Sequence, residues 1–350
     1  MKILAYGAGN IGGLYAALLS ESGEDVSILA RGKRLARIRE HGIELDNVLT
    51  AKRTSVTLNT VERLDAEDGY DLVLVILGKD HVSEVLPVLA RNQHTPSVMF
   101  LGNNAAGPGE MVEALGRDRV LLGFPGAAGI TQGNVTRYLI TSAREQPTTV
   151  GEVDGRRSPR IETIAAALRR AGFSVTISSN MDAWLKTHVA EISPTANALY
   201  MVGGDARRLA RTRDALVLLL RAIREGYRVL AANGTPITPK SHRIFRWLPE
   251  PLLLFLTRRI LERETTSIKI GHALGARSEM KTISDEFRAL TETTSISTPA
   301  MDRLYQYLDP TVEPVADGSA DLSVNWVGVW KLCTPLVLVF LIWVLWQWAT

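Results

Sequence analysis

Six residues near the N-terminus carry the clearest chemical signal in the sequence. They are Gly7, Ala8, Gly9, Asn10, Ile11 and Gly12, and they match the pattern G-x-G-x-x-G between an apolar run and a predicted helix. In that setting the glycines permit a tight turn, a close approach of the backbone to a pyrophosphate, and close packing of helix on strand. The start of the helix then offers N–H groups and a positive dipole to phosphates. The motif predicts a dinucleotide site, with a glycine-rich turn that binds no ligand as the alternative.

The second predicted strand ends with a cation where one class of cofactor would need an acid. A site for NAD usually carries an acidic residue here, about 20 residues after the glycines, which binds the ribose hydroxyls. This strand instead ends at Arg31, with Lys33 and Arg34 close behind. Because a guanidinium group pairs with phosphate through two parallel bonds, Arg31 favours NADP(H). The alternative is a solvated basic start of a helix.

The first half of the chain alternates between strand and helix patterns. The predicted strands are Lys2–Tyr6, Asp25–Ala30, Asp71–Leu77, Ser97–Leu101 and Val120–Phe124. The predicted helices between them include Ile11–Ser20, Arg34–Glu40 and His81–Ala90. A continuous apolar run such as the one at 71–77 is typical of a parallel strand covered on both faces. The alternation predicts an α/β Rossmann domain with a mostly parallel sheet.

From about Asn180 the pattern becomes helical. The predicted helices are Met181–Ile192, Arg208–Asn233, Leu252–Arg263 and Thr266–Thr291. We therefore expect a Rossmann domain over 1–178, an all-α domain over 179–309, a linker over 310–326 and an apolar tail helix over 327–350. The linker is indicated by its proline, glycine and acidic residues.

Composition excludes several classes of protein. The formal net charge of +3 and the lack of a basic stripe with interleaved aromatic residues argue against nucleic-acid binding. The single cysteine, Cys333, excludes an internal disulfide framework and a cysteine-based zinc cluster. His81, His188 and His272 lack metal-ligand spacing, so we predict no metal site.

Several short motifs in the same order resemble the ketopantoate reductase (2-dehydropantoate 2-reductase) family over about residues 1–308. They comprise the glycine motif, the second strand with Arg31, the stretch 100–104 (FLGNN), Trp184-Leu185-Lys186, Ser193-Pro194-Thr195-Ala196, Glu279, and Ile296-Ser297-Thr298-Pro299. The resemblance implies that Lys186 and Glu279 are catalytic. It also implies that Asn103, Ser267 and Glu279 contact substrate and that Asn103 contributes to the cofactor site.

The implied chemistry is consistent with these residue types. Hydride transfer to a ketone builds negative charge on the carbonyl oxygen, which a lysine ammonium stabilises and protonates. Without the resemblance, Lys186 and Glu279 would be interpreted as surface residues on helices and Asn103 as a turn residue.

Three departures from the family pattern concern the substrate. Gly78 stands where the family has a lysine, with Lys79 displaced by one position. Ala190 replaces an asparagine one helical turn after Lys186, and Gly271 replaces an aspartate four residues after Ser267. The departures leave the implied fold and cofactor in place but not the identity of the substrate.

The C-terminal tail suggests a membrane. Residues 332–350 carry no charge, and five tryptophans lie in the last 25 positions: Trp326, Trp330, Trp343, Trp346 and Trp348. A run of 18 or more apolar residues with flanking tryptophan predicts a membrane span, and the alternative is a helix packed on a partner subunit or lying in the interface plane. Residues 243–263 place basic residues around an apolar centre, which suits either a membrane surface or an ordinary element of the helical domain.

We expect an NADPH-dependent reductase of a small ketone, such as the 2-oxo acid ketopantoate, held on the cytoplasmic face of a membrane by its tail. One alternative is a reductase of the same fold that acts on a more apolar carbonyl substrate. Another is a non-catalytic, NADP-binding sensor at a membrane. The sequence is also compatible with a homodimer.

Overall fold

The computed structural model describes residues 1–329, apart from the side chains of Glu264, Ser267 and His272. The tail expected over 332–350 lies outside the described residues. Within residues 1–329, every helix is too short or too polar to cross a membrane.

Strands are concentrated in the first half of the chain. They are β1 (Lys2–Tyr6), β2 (Asp25–Leu29), β3 (Ile43–Asn47), β4 (Arg53–Val56), β5 (Asn59–Val61), β6 (Leu72–Val75), β7 (Val98–Leu101), β8 (Val120–Phe124), β9 (Ala127–Gln132), β10 (Val135–Ile140), β11 (Thr148–Glu152) and β12 (Val175–Ile177). The helices are α1 (Asn10–Glu21), α2 (Gly32–His41), α3 (Val82–Arg91), α4 (Gly109–Leu115), α5 (Pro159–Arg170), α6 (Met181–Met201), α7 (Ala206–Arg211), α8 (Arg213–Ala232), α9 (Glu250–Leu261), α10 (Glu264–Gly275), α11 (Arg277–Glu292) and α12 (Pro299–Tyr305). Short 3₁₀ segments lie at Lys79–His81, Lys240–Arg246 and Gln306–Leu308.

The main sheet has the strand order β12-β11-β8-β7-β6-β1-β2-β5. All neighbouring pairs are parallel except β8 with β11. The central strands β6 and β7 are buried along their whole length, as their uninterrupted apolar sequences predict. The chain leaves β1 towards β2 on one side and later returns to β6 on the other. The carboxyl ends of β1 and β6 therefore form a topological switch point, the usual ligand-binding position in such sheets.

A second sheet, with the order β4-β3-β10-β9, was not predicted from the sequence. Its strands mix polar and apolar residues, and β3 pairs with β10 across about 90 residues of chain. Short polar strands whose partner is this distant carry little local signal, because pairing rather than propensity stabilises them.

The chain divides into two compact units. The first contains Met1–Val189 and Ile268–Glu292, and the second contains Ala190–Ser267 and the residues from Thr293 onward. The change from α/β to helical structure falls at Met181, close to the expected boundary at 178–180. The units nevertheless follow a different division, since α11 packs with the N-terminal sheet domain rather than with the helices that precede it.

The second unit is built around α8, whose apolar residues are largely buried and against which α12 packs. Glu225 of α8 accepts hydrogen bonds from the N–H groups of Ala300 and Met301, in the first turn of α12. A carboxylate there complements the positive end of the helix dipole. Burial raises the pKa of Glu225, and these bonds only partly counter that effect.

The stretch expected to be a linker is packed against the second unit. Val315 donates its N–H to the carbonyl oxygen of Met201 at 3.0 Å. Asp214 accepts hydrogen bonds from Ser319, Asp321 and Leu322. Burial raises the pKa of Asp214, but these bonds together outweigh it and hold the pKa below its usual value. The proline and glycine residues here form turns that return the chain to α7 and α8, rather than a flexible connection.

Candidate active site

The glycine motif forms the loop between β1 and α1, at the switch point of the sheet. Gly7 has φ of +124°, and a Cβ there would lie 2.3 Å from the carbonyl oxygen of Ile76. A Cβ on Gly12 would lie 1.9 Å from the carbonyl oxygen of Gly7. Both positions therefore require glycine.

The outer side of this loop is open, as a pyrophosphate site requires. A Cβ on Gly9 would meet no atom within 4 Å. Gly9 is also the N-cap residue of α1, so no capping side chain covers the start of the helix. Asn10 donates to the carbonyl oxygen of Gly129 at 3.3 Å, which ties the loop to β9. The backbone N–H groups at the start of α1 therefore face an open cradle, so the structure fits the predicted dinucleotide.

Arg31 caps the start of α2 and is exposed just beyond the end of β2. Arg34, one turn later, has a different position, because its Nε donates to the carbonyl oxygen of Ala8 at 2.9 Å. Burial and the neighbouring Arg37 lower the pKa of Arg34. Arg34 thus supports the glycine loop, whereas Arg31 and the exposed Lys33 remain available to an incoming phosphate.

Asn103 and Glu279 are brought together although 176 residues separate them. The Nδ2 of Asn103, two residues after β7, donates to Oε1 of Glu279 on α11 at 2.8 Å. Glu279 is buried, and its Oε2 would lie 3.4 Å from a Cβ on Gly78. The same Cβ would lie 2.5 Å from Oδ1 of Asp80, so position 78 is bordered by two carboxylates. The Oδ1 of Asn103 is buried and has no hydrogen-bond partner among the described residues. A buried acceptor of this kind in a site suggests a ligand donor.

Lys186 lies at the other end of the loop that begins with Asn103. Its Nζ donates to Oδ2 of Asp182, one helical turn earlier, at 2.7 Å. It would lie 3.8 Å from a Cβ on Gly107, whose φ is +86°. The other oxygen of Asp182, Oδ1, is buried without a partner among residues 1–329. The lysine ammonium is therefore oriented by one carboxylate and is only partly exposed.

Aromatic packing fixes this part of α6. Trp184 and His188 flank Lys186, and their rings stack with centroids 5.4 Å apart. Phe124, at the end of β8, contacts both rings at 5.3 and 4.1 Å. Packing of α6 on the sheet through these rings restricts the directions in which Lys186 can point.

The loop of residues 103–107 is held along its whole length. Asn104 bonds both backbone groups of Gly107, at 2.9 Å each. Glu286 of α11 accepts the N–H groups of Ala105 at 2.9 Å and Ala106 at 3.2 Å. The loop that carries Asn103 and meets Lys186 is therefore fixed by side chains from its own sequence and from α11.

Lys79 is buried beside this loop. Its Nζ forms ion pairs with Glu110 and with Glu286, the latter at 3.3 Å, and its side chain is only 4% exposed. The displacement of the family lysine by one position thus gives it two carboxylate partners inside the protein. A buried cation is tolerated only with such pairing. We interpret Lys79 and Glu286 as a clamp on the loop of residues 103–107.

The sequence analysis did not identify Asp182 or Glu286 as site residues. It noted Lys79 only as a departure from the family pattern. A local signal existed for the first two. Asp182 precedes Lys186 by four residues, and Glu286 follows Glu279 by seven, so each pair shares a helix face. No comparable signal exists for Lys79, because its partners come from α4 and α11.

The remaining predicted positions are more dispersed. Gly271 lies on α10 within the first unit, where a Cβ would be 3.5 Å from a side-chain carbon of Ile130. Ala190 and Ser267 belong to the second unit, and the side chain of Ser267 lies outside the described residues. Residues 1–329 contain no cluster of three or more His, Cys, Asp or Glu side chains that could hold a metal ion.

Replacing Glu286 with alanine should loosen the loop that carries Asn103. The substitution removes the acceptor for two backbone N–H groups and leaves the buried Lys79 with one partner. Breaking a buried pair costs about 3–5 kcal/mol, so we expect a clear drop in Tm and a lower kcat. Calorimetry and steady-state assays would measure both effects. Glu292→Ala, at an exposed position of the same helix, is the matched control. Equal Tm values for the two variants would contradict the clamp.

Comparison with known proteins gives a consistent picture. Residues 3–155 match the family model described as ketopantoate reductase PanE/ApbA. A 2-dehydropantoate 2-reductase from Pyrococcus abyssi is 25% identical over 248 residues, which cover 67% of this chain and 75% of the relative.

Two solved structures share the fold. One is 2-dehydropantoate 2-reductase from Geobacter metallireducens, with a TM-score of 0.70, 18% identity and coverage of 89% of this chain and 100% of the other. The other is D-mandelate dehydrogenase with NADH and anilino(oxo)acetate, with a TM-score of 0.72, 16% identity and coverage of 89% and 98%. The resemblance seen in the sequence is thereby confirmed, as is the combination of a Rossmann-like sheet with a helical region.

Proposed function

We propose that this chain, an oxidoreductase whose residues 3–155 form a domain of the ketopantoate reductase family, reduces the ketone of a 2-oxo acid. The observation that carries the proposal is the loop of residues 103–107. At one end Asn103 is bonded to Glu279, and at the other Gly107 lies against the ammonium group of Lys186. A carbonyl-polarising cation and a polar pair for substrate therefore lie beside the edge of the sheet where a dinucleotide binds.

The cofactor is NAD(P)H, as the family match implies. When bound, it supplies the hydride. Arg31 supports a preference for NADPH, because it is exposed at the end of β2 where an acid would otherwise bind the ribose hydroxyls.

The residues of this chain would then act on the oxygen. As hydride reaches the carbonyl carbon, negative charge develops on the oxygen, and the Lys186 ammonium stabilises it and transfers a proton to it. Asp182 orients that ammonium through its hydrogen bond. Glu279 can accept a hydrogen bond from a substrate hydroxyl. The Oδ1 of Asn103, which is buried and has no partner among the described residues, can accept another. Ser267 is proposed to contact substrate from the family resemblance alone.

Two classes of substrate are candidates. Ketopantoate is the first, from the family match. A more apolar carbonyl compound is the second, because Gly78 and Ala190 stand where the family pattern has polar side chains. D-mandelate dehydrogenase, which shares the fold, was solved with NADH and anilino(oxo)acetate, so aromatic 2-oxo acids belong among the substrates to be tested.

An assay of NADPH oxidation with a panel of ketones tests the function. The panel contains ketopantoate, 2-oxo acids with branched or aromatic side chains, and ketones that lack the carboxylate. We expect turnover with 2-oxo acids and little with ketones lacking the carboxylate. Tight NADPH binding without turnover on any member would contradict the proposal and favour a sensor.

The tail requires a separate test, because it lies outside the described residues. We propose from its sequence that residues 332–350 attach the protein to a membrane. The full chain should then fractionate with membranes, and a chain ending at residue 329 should be released in active form. Aggregation of the shortened chain would instead show that the tail covers protein surface. Recovery of the full chain without detergent would contradict attachment.

A further inference from the structure

The second unit exposes a concentrated apolar surface. Residues 1–329 expose ten large hydrophobic side chains, and eight of them lie within 244–260 or at 326–327. The eight are Ile244, Trp247, Leu252, Phe255, Leu256, Ile260, Trp326 and Val327. Trp247 is 79% exposed and Phe255 is 55% exposed. Isolated exposed apolar residues are ordinary, but such a concentration marks an interaction site.

The helix α9 carries two different apolar stripes. Its inward stripe contains Leu253 and Leu261, which are buried. Its outward stripe follows helical spacing and consists of Leu252, Phe255, Leu256, Arg259 and Ile260, and the exposed Arg263 lies just after the end of the helix. We call this outward stripe the α9 face, together with the exposed Arg263 after the helix and the exposed Arg243, Ile244, Arg246 and Trp247 before it. An ordinary surface helix would place polar residues on its outward side.

The charge on the α9 face is almost entirely positive. Four arginines belong to it: Arg243, Arg246, Arg259 and Arg263. No described carboxylate forms an ion pair with any of them, and Glu262 is the one acid between residues 251 and 263. The guanidinium of Arg259 lies 5.3 Å from the ring centre of Phe255. Aromatic and aliphatic side chains are thus interleaved with cations, which is typical of helices that lie in a membrane interface.

The course of the chain supports the same occupant. Asn325 donates its N–H to Glu250, at the start of α9, at 2.9 Å. A Cβ on Gly328 would lie 3.3 Å from Cα of Pro249. The exposed Trp326 and Val327 therefore lie beside the start of α9, and the uncharged run of residues 332–350 begins a few residues later. The chain therefore passes the start of α9 shortly before the uncharged run begins in the sequence.

We infer that the α9 face docks on an anionic lipid bilayer, with Trp247 and Phe255 at the interface and the arginines among the headgroups. A second copy of the chain is a weaker occupant, because a two-fold contact would place arginines opposite arginines. The tail of the same chain is also weaker, because it carries no acid to pair with them.

A fluorescent label on the α9 face tests this inference in the full chain. In a Cys333→Ser background, Phe255→Cys carries an environment-sensitive dye. The matched control carries it at Leu49→Cys, a 63% exposed position in the first unit. With vesicles containing phosphatidylglycerol, we expect a blue shift and quenching by spin-labelled lipid at position 255 and neither at position 49. Vesicles of phosphatidylcholine alone should give little change.

Charge reversal provides a second readout. The double substitution Arg246→Glu with Arg259→Glu should weaken binding to anionic vesicles by roughly tenfold or more. Arg63→Glu with Arg156→Glu, exposed in the first unit, changes net charge equally and should have a much smaller effect. NADPH oxidation by both variants reports that the fold is intact.

Three results would overturn the inference. One is an unchanged spectrum at position 255 while the chain sediments with vesicles, which would leave attachment to the tail alone. Another is a blue shift already present without lipid, which would show that the tail or a second copy covers the face. The third is an equal response to neutral and anionic vesicles.

Discussion

Replacing Lys186 with alanine should lower turnover by about 10²- to 10⁴-fold while leaving NADPH affinity nearly unchanged. The ammonium group is needed only where negative charge develops on the carbonyl oxygen, so its loss affects the chemical step. The glycine loop and Arg31 lie elsewhere on the sheet edge and retain their geometry. Stopped-flow measurement of NADPH oxidation with a reactive 2-oxo acid, together with titration of NADPH, would separate the two quantities.

Lys281→Ala is the matched control for this variant. Lys281 pairs with Asp285 on α11 in the same four-residue relation that Lys186 has with Asp182, but it is exposed. Each substitution therefore removes one helix ion pair between residues four apart, and such a pair is worth about 0.3–0.5 kcal/mol when exposed. If turnover by Lys186→Ala stays within a few-fold of Lys281→Ala, Lys186 is not the proton donor.

The features visible in the sequence are those that depend on local chain geometry. The glycine motif between β1 and α1, the apolar runs of β6 and β7 and the helical character after Met181 are all governed by neighbouring residues. Their physical requirements, such as the absence of a Cβ at Gly12, act within a few residues of the chain. The sheet and the start of the candidate site could therefore be predicted.

The features not visible in the sequence depend on pairing at long range. The strand β3 needs β10, and the buried charge of Lys79 needs Glu110 and Glu286. The placement of α11 with the first unit follows from bonds between Glu279 or Glu286 and a loop about 180 residues earlier. The spacing of residues along the sequence shows which face of α11 carries carboxylates, but it does not show which loop those carboxylates contact.

Cofactor choice allows a second prediction with a large expected effect. The substitution Arg31→Asp should weaken NADPH binding by about 10- to 100-fold, since a hydrogen bond to a charged group contributes about 1.5–3 kcal/mol. Binding of NADH should be preserved or improved, because an acid at the end of the second strand can bind the ribose hydroxyls. Fluorescence titration with both cofactors measures the change in the ratio of the two Kd values.

The position of Arg31 makes this prediction specific. Arg34 is already engaged with the carbonyl oxygen of Ala8, so its replacement should weaken both cofactors by disturbing the glycine loop. Arg31 caps α2 through its backbone and makes no side-chain cap, so its replacement should leave the loop intact. Arg39→Asp, near the end of the same helix, controls for the change of charge on α2.

Equal affinities of the unaltered protein for NADPH and NADH would show that Arg31 does not select the phosphate. A proportional loss of both cofactors in Arg31→Asp would instead assign Arg31 the same supporting role as Arg34.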